Sequence, residues 1–163
     1  MPIWTKTRAA VAAASTAAVV ALAIPFVRDH EGLRTNAYLD PVGIPTICFG
    51  ETLNVRMGDR KTVAECEEML TPRLVGFLNE MRACTTVPLP PKTEAAFLSF
   101  TYNVGAGVYC KNMAVKRINK GNVEEACNAL SLYVKAGVPR RTLPGLVRRR
   151  AEERQMCLEG LKE

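Results

Sequence analysis

The sequence predicts an α+β fold: a mostly helical lobe beside a small β-hairpin lobe, with a cleft between them and a signal-anchor helix at the N-terminus. Three observations predict it. Ala9 to Val27 carries no charge over 19 residues. Asn36 to Thr52 mixes Pro, Gly and Asp with the β-formers Tyr38, Ile44, Thr46, Ile47 and Phe49. From Thr62 onward apolar residues recur at helical spacing.

The N-terminal segment, at 1.5 Å per residue, reaches about 29 Å as a helix, close to the hydrocarbon thickness of roughly 30 Å. Nine of its 19 residues are alanine. Val11, Val19, Val20, Leu22, Ile24, Phe26 and Val27 supply roughly −2 to −4 kcal/mol of insertion free energy, and Ser15, Thr16 and Pro25 oppose it. This is a weak transmembrane helix. Lys6 and Arg8 precede it without an acid, which places the N-terminus in the cytoplasm and exports the rest, with Trp4 at the interface. A cleaved signal peptide, ending at Ala21-Leu22-Ala23, is an alternative, as are a permanent anchor and an Ala-rich buried helix.

Asn36 to Thr52 reads as a short hairpin or small sheet. Thr62 and Glu65 have capping-box spacing, followed inward by Val63, Cys66, Met69, Leu70, Leu74, Phe77, Leu78 and Met81, with a break expected at Pro72. Val87-Pro88-Leu89-Pro90-Pro91 is a rigid connector. A helix from about Lys92 carries Ala96, Phe97, Phe100 and Val104 inward until Gly105 and Gly107. Asn122 and Glu125 start another, expected to run to Gly137, and a last helix after Pro144-Gly145 carries Leu146, Val147, Ala151 and Leu158. The expected division is residues 1–28 as the membrane segment and residues 29–163 as one domain.

The net charge of +6 points to a polyanionic partner without choosing among nucleic acid, acidic lipid and an anionic wall polymer. Arg148/Glu152 and Arg149/Glu153 are i,i+4 pairs, so the Arg148-Arg149-Arg150 run reads as a solvated, salt-bridged helix face and not as a nucleic-acid surface. Which arginine, if any, reaches a candidate acid is open. Six scattered cysteines and a single histidine argue against zinc, and no metal or cofactor is expected. In an exported chain the cysteines form up to three disulfides, with 15 pairings open; six buried free thiols in a cytosolic protein are the alternative.

Glu31, Asp40 and Thr46 lie within sixteen residues. Hydrolysis of a glycosidic bond needs one carboxyl to protonate the leaving oxygen and a second, ionised group to prepare a water or act as nucleophile. Glu31, at a helix end before Gly32, is expected to sit where the helix dipole and partial burial favour a neutral acid, with Asp40 in a more solvated turn. Glu-Gly and Asp-Pro are also common at helix ends and turns, so these residues alone leave a structural role open. His30, beside Glu31, shows no partner in the sequence.

Three ordered motifs resemble the T4-type phage lysozymes: Glu31-Gly-Leu-Arg through Ala37-Tyr-Leu-Asp40-Pro-Val-Gly43-Ile-Pro-Thr46-Ile; Phe97-Leu-Ser-Phe-Thr-Tyr-Asn103-Val-Gly105; and Leu143-Pro-Gly-Leu-Val-Arg-Arg-Arg150-Ala-Glu-Glu-Arg154. The resemblance implies a lysozyme-like fold and hydrolysis of the β-1,4 bond between N-acetylmuramic acid and N-acetylglucosamine. It assigns Glu31 as general acid, with Asp40 and Thr46 positioning and activating water for inversion, which needs carboxyls roughly 6.5–9.5 Å apart. The chain departs from the family's Thr-Ile-Gly-Tyr-Gly-His at Cys48, Phe49 and Glu51, and Tyr133 stands where the family has Trp.

The weak anchor ahead of such a domain resembles the signal-arrest-release endolysins of lambdoid phages. That implies a monomer whose partners are peptidoglycan and, through residues 9–27, the bacterial inner membrane. It would face the periplasm while tethered and inactive, then be released there. Competing readings are a lytic transglycosylase using Glu31 alone and a membrane-anchored, non-catalytic wall-binding module.

Overall fold

The computed structural model describes residues 13–163; Trp4, Lys6, Arg8 and the first part of the uncharged segment, 9–12, lie outside them. Helix α1, Thr16–Glu31, starts where the Ser15 hydroxyl accepts the Ala18 N–H and runs through Pro25 to the candidate acid. It buries Val19, Val20, Ala23 and Val27 in the core, while Ala17, Ala18, Ala21, Leu22 and Pro25 stay at the surface. Arg82 ties its start to the domain, donating to Thr16 Oγ1 at 3.0 Å and the Ala14 carbonyl at 2.8 Å. Among the described residues no helix is long and apolar enough to cross a membrane.

The expected hairpin forms from β1, Arg34–Leu39, and β2, Pro45–Cys48, antiparallel with Tyr38 opposite Thr46. Helix α2, Val63–Cys84, opens on the full Thr62–Glu65 capping box. The break expected at Pro72 does not occur. Proline removes one backbone donor, but Pro72 faces solvent while Leu70 and Leu74 anchor the helix on both sides of it. Val63, expected inward, lies exposed in the first turn.

Helix α3, Pro91–Val104, begins with proline at its first position and is buried on every side from Thr93 to Thr101. It packs against α1, α2 and the C-terminal helix. Its buried polar groups are all partnered: Thr93 donates to the Cys157 carbonyl, Ser99 to Glu153 and Thr101 to the Phe97 carbonyl, while Glu94 accepts from Arg82.

Two short helices follow that the sequence reading did not resolve, α4 (Ala106–Lys111) and α5 (Met113–Asn119). Helix α6, Val123–Ala129, stops well before Gly137, passing through a 3-10 turn at Leu130–Leu132 into a second hairpin, β3 (Lys135–Ala136) and β4 (Arg141–Thr142). The helix ends because its inward stripe ends: Leu130 is buried and Leu132 is 67% exposed.

The last helix, α7, Pro144–Gly160, corrects the expected inward face. Val147 and Ala151 are exposed, and the buried stripe is Arg149, Arg150, Glu153, Cys157 and Gly160. All six cysteines pair, as Cys48–Cys66, Cys84–Cys110 and Cys127–Cys157. In the chain-entropy picture, loops of these lengths each disfavour the unfolded state by about 3–4 kcal/mol.

Candidate active site

Glu31 is the last residue of α1, and Gly32, at φ 68°, turns the chain out of the helix toward β1, a backbone conformation that side chains disfavour. The Glu31 side chain is 19% exposed, and its Oε1 accepts from Arg149 Nη1 at 2.5 Å. Its Oε2 faces the turn after β2, where a Cβ added to Gly50 would lie 3.7 Å away. The partial burial expected from the sequence is present, and beside it a guanidinium abuts the carboxylate.

Asp40 follows β1 and is fixed by its own turn. Oδ1 accepts the N–H groups of Val42 and Ile44 at 2.9 and 2.8 Å, and the Asp40 N–H donates to the Ile44 carbonyl at 3.0 Å. Oδ2 has no hydrogen bond among the described residues, so it points its lone pairs at whatever solvent or substrate arrives. Thr46, 4% exposed, donates Oγ1–H to that same Ile44 carbonyl at 2.9 Å. Its only proton is thus engaged and its lone pairs remain to accept one. Ile44 links Asp40 and Thr46 into one unit on the hairpin, and Glu31 enters the same lobe three residues before β1.

The arginine run is not the solvated face expected from its i,i+4 spacing. Only the Arg148–Glu152 pair is exposed, at 3.9 Å. Arg149 is buried and donates from Nε to Glu153 Oε1 at 3.0 Å and from Nη2 to the Ser99 carbonyl at 3.0 Å, besides its bond to Glu31. Arg150 pairs with Glu153 and Asn103, donates to the Tyr133 carbonyl at 3.2 Å and lies over the Phe100 ring. Burial pushes the Glu153 carboxyl up and the Arg150 guanidinium down, and their mutual attraction opposes both shifts. Because α7 turns this stripe inward, charge spacing along the sequence gave the right partner for Arg149 and the wrong environment.

His30 also has a partner that the sequence did not reveal. Its Nε2 lies 2.7 Å from Glu152 Oε2, the ring is nearly buried, and Phe26 packs against it at 5.3 Å. The pair fastens the end of α1 to α7, one residue before Glu31.

The chain that carries this carboxyl at a helix end, held by an arginine from the C-terminal helix, is similar to known proteins. The phage lysozyme family model matches residues 28–153. The chain belongs to the phage lysozyme family. The SAR-endolysin of Pseudomonas phage phiKMV is 38% identical, covering 93% of this chain and 91% of its own. The endolysin from Escherichia coli O157:H7 phage FAHEc1 superposes with a TM-score of 0.77 at 29% identity, covering 85% of this chain and 91% of that one. The muramidase domain of SpmX from Asticaccaulis excentricus gives 0.79 at 28% identity, covering 83% and 94%. As a member the chain is a lysozyme, an enzyme of peptidoglycan hydrolysis.

The departures from the lysozyme motif have structural explanations. Cys48, standing where the family has glycine, adopts φ 59°, a left-handed conformation that disfavours a side chain by about 1–2 kcal/mol. Its disulfide to Cys66 pins the end of the hairpin to α2 and offsets that strain. Glu51 accepts the N–H groups of Thr52 and Leu53 at 2.9 and 2.8 Å and so caps the following turn. Tyr133 packs edge-on against Phe100 at 5.1 Å.

Proposed function

We propose that this lysozyme hydrolyses the β-1,4 bond between N-acetylmuramic acid and N-acetylglucosamine with inversion. Glu31 donates its proton to the leaving glycosidic oxygen. Asp40, through Oδ2, and Thr46, through its lone pairs, hold a water on the opposite face of the sugar. As that water attacks the anomeric carbon, Asp40 takes its proton, and the bond to the leaving oxygen breaks. The observation that carries this reading is the joint anchoring of Asp40 and Thr46 on Ile44, in the lobe that Glu31 enters at the end of α1. Glu31→Gln is expected to abolish clearing of purified peptidoglycan; normal lysis by that variant would overturn the assignment. NMR of the first product should show the α-anomer, whereas a β-anomer would exclude inversion and a 1,6-anhydromuramyl mass would indicate a lytic transglycosylase.

Residues 1–28 act as a release segment ahead of a muramidase domain at 29–163, tethering the enzyme to the inner membrane on its periplasmic side until it leaves the bilayer. The relatedness to SAR-endolysins and the continuity of α1 both support this. Glu31 follows Val27 by four positions, about 6 Å along a helix, so a spanning segment holds the acid at the bilayer surface. Val19, Val20, Ala23 and Val27 cannot lie in lipid and against the core at once. Leucine in place of several alanines among residues 9–23 should slow release and delay lysis; undiminished release would count against marginal hydrophobicity as the control.

A further inference from the structure

Glu31 is flanked on two sides, and one helix supports both. Oε1 meets Arg149, whose Nη2 is held by the Ser99 carbonyl of α3. Oε2 faces Gly50, and the residue before it, Phe49, accepts a 2.5 Å hydrogen bond at its carbonyl from the Tyr102 hydroxyl, also of α3. Ser99 and Tyr102 are three residues apart, neighbours on one helix face. The Phe49–Glu51 turn is closed by two 2.9 Å backbone hydrogen bonds between Ile47 and Glu51, and two further fastenings tie it to α2: the Cys48–Cys66 disulfide and Arg73, 3.4 Å from Glu51. Gly50 itself sits at φ 86°. Glycine adopts that φ without strain, so the outside contacts set only where the turn lies relative to the carboxylate.

We propose that Tyr102 is a positioning residue for Glu31, its hydroxyl holding the Phe49–Gly50 turn against the acid through the Phe49 carbonyl. This rests on Glu31 being the general acid. The ring is set for the role, packing edge-on against Phe77 at 5.4 Å, while Arg73 covers the Phe77 face at 5.1 Å. Burial, and then the facing carboxylates Glu31 and Glu51, push the phenol well above its ordinary value, so it remains a donor throughout the working pH range. Deleting the hydroxyl leaves the Phe49 carbonyl without that donor, so the turn keeps its ties to α2 but loses the one to α3 and sits less firmly against Glu31.

The test pairs Tyr102→Phe with Tyr109→Phe, which deletes a buried hydroxyl bonded to Thr85 Oγ1 at 2.9 Å on α4. On a soluble peptidoglycan oligosaccharide, Tyr102→Phe is expected to lower kcat about tenfold, equivalent to about 1.4 kcal/mol, with KM within about twofold. Tyr109→Phe should leave kcat unchanged at a comparable loss of Tm. Amide exchange at Gly50 to Leu53 should quicken in Tyr102→Phe alone. Unchanged kcat, an equal fall in both variants, a rise in KM at constant kcat, or unaltered exchange would each overturn the proposal. Failure of the muramidase reading is separate, because it shows as full activity in Glu31→Gln.

Discussion

Glu153→Gln tests whether the charged stripe of α7 is a buried network. Glu153 is fully buried and accepts from Ser99 Oγ at 2.7 Å, Arg149 Nε at 3.0 Å and Arg150. Removing its charge leaves two buried guanidiniums beside each other without the carboxylate between them. Breaking a buried ion pair by removing one partner costs about 3–5 kcal/mol. The substituted amide still accepts from Ser99, so the lower end, about 3 kcal/mol, is expected. At roughly 2–4 °C per kcal/mol for a chain of this size, Tm should fall by about 6–12 °C under non-reducing conditions, followed by circular dichroism. Clearing of peptidoglycan should fall as well, because Arg149 loses the anchor that aims it at Glu31. A loss below about 1 kcal/mol, the range of exposed ion pairs, would refute the reasoning and restore the solvated-face reading of the arginine run.

Arg149→Lys should cut the lytic rate by about two orders of magnitude, a loss typical of misplacing a catalytic group, because one ammonium cannot serve Glu31, Glu153 and the Ser99 carbonyl together; near-normal initial rates in a turbidity assay would count against it. The double replacement Cys48→Ser with Cys66→Ser should lower stability by about 3 kcal/mol and reduce activity, since the hairpin end loses its tie to α2; denaturant unfolding beside a lysis assay reads both. Glu65 lies below its ordinary value of 4.5, chiefly through the Thr62 N–H. Its stabilisation is present above that value and lost as pH falls through the lowered one, so the gap between wild type and Glu65→Ala should close as pH drops below 4.5. A gap independent of pH would contradict the charged cap.

Much of the fold was legible because its signals are local. The Thr62–Glu65 cap, the proline-rich connector ahead of α3 and the turn residues around Gly43 each act within a few residues, and the elements they border form. What went unread depends on which face an element turns inward. Arg149, Arg150 and Glu153 look solvent-loving in isolation, and only the packing of α7 on α3 makes them a core network. Tyr102 was visible inside the second motif, yet nothing in the sequence joins its hydroxyl to Phe49, 53 residues away.

The sequence by itself determined the family, the uncharged segment and the presence of enough cysteines for three disulfides, and it nominated Glu31, Asp40 and Thr46 as the candidate constellation. Motif spacing and composition survive without coordinates, and that is why these were available. The tertiary structure alone decided the disulfide pairing, the burial of the arginine stripe, the partner of His30 and the setting of Glu31 between Arg149 and the Gly50 turn. Each of these joins residues distant along the chain, and the free energy of such contacts is set by the burial they meet in the fold.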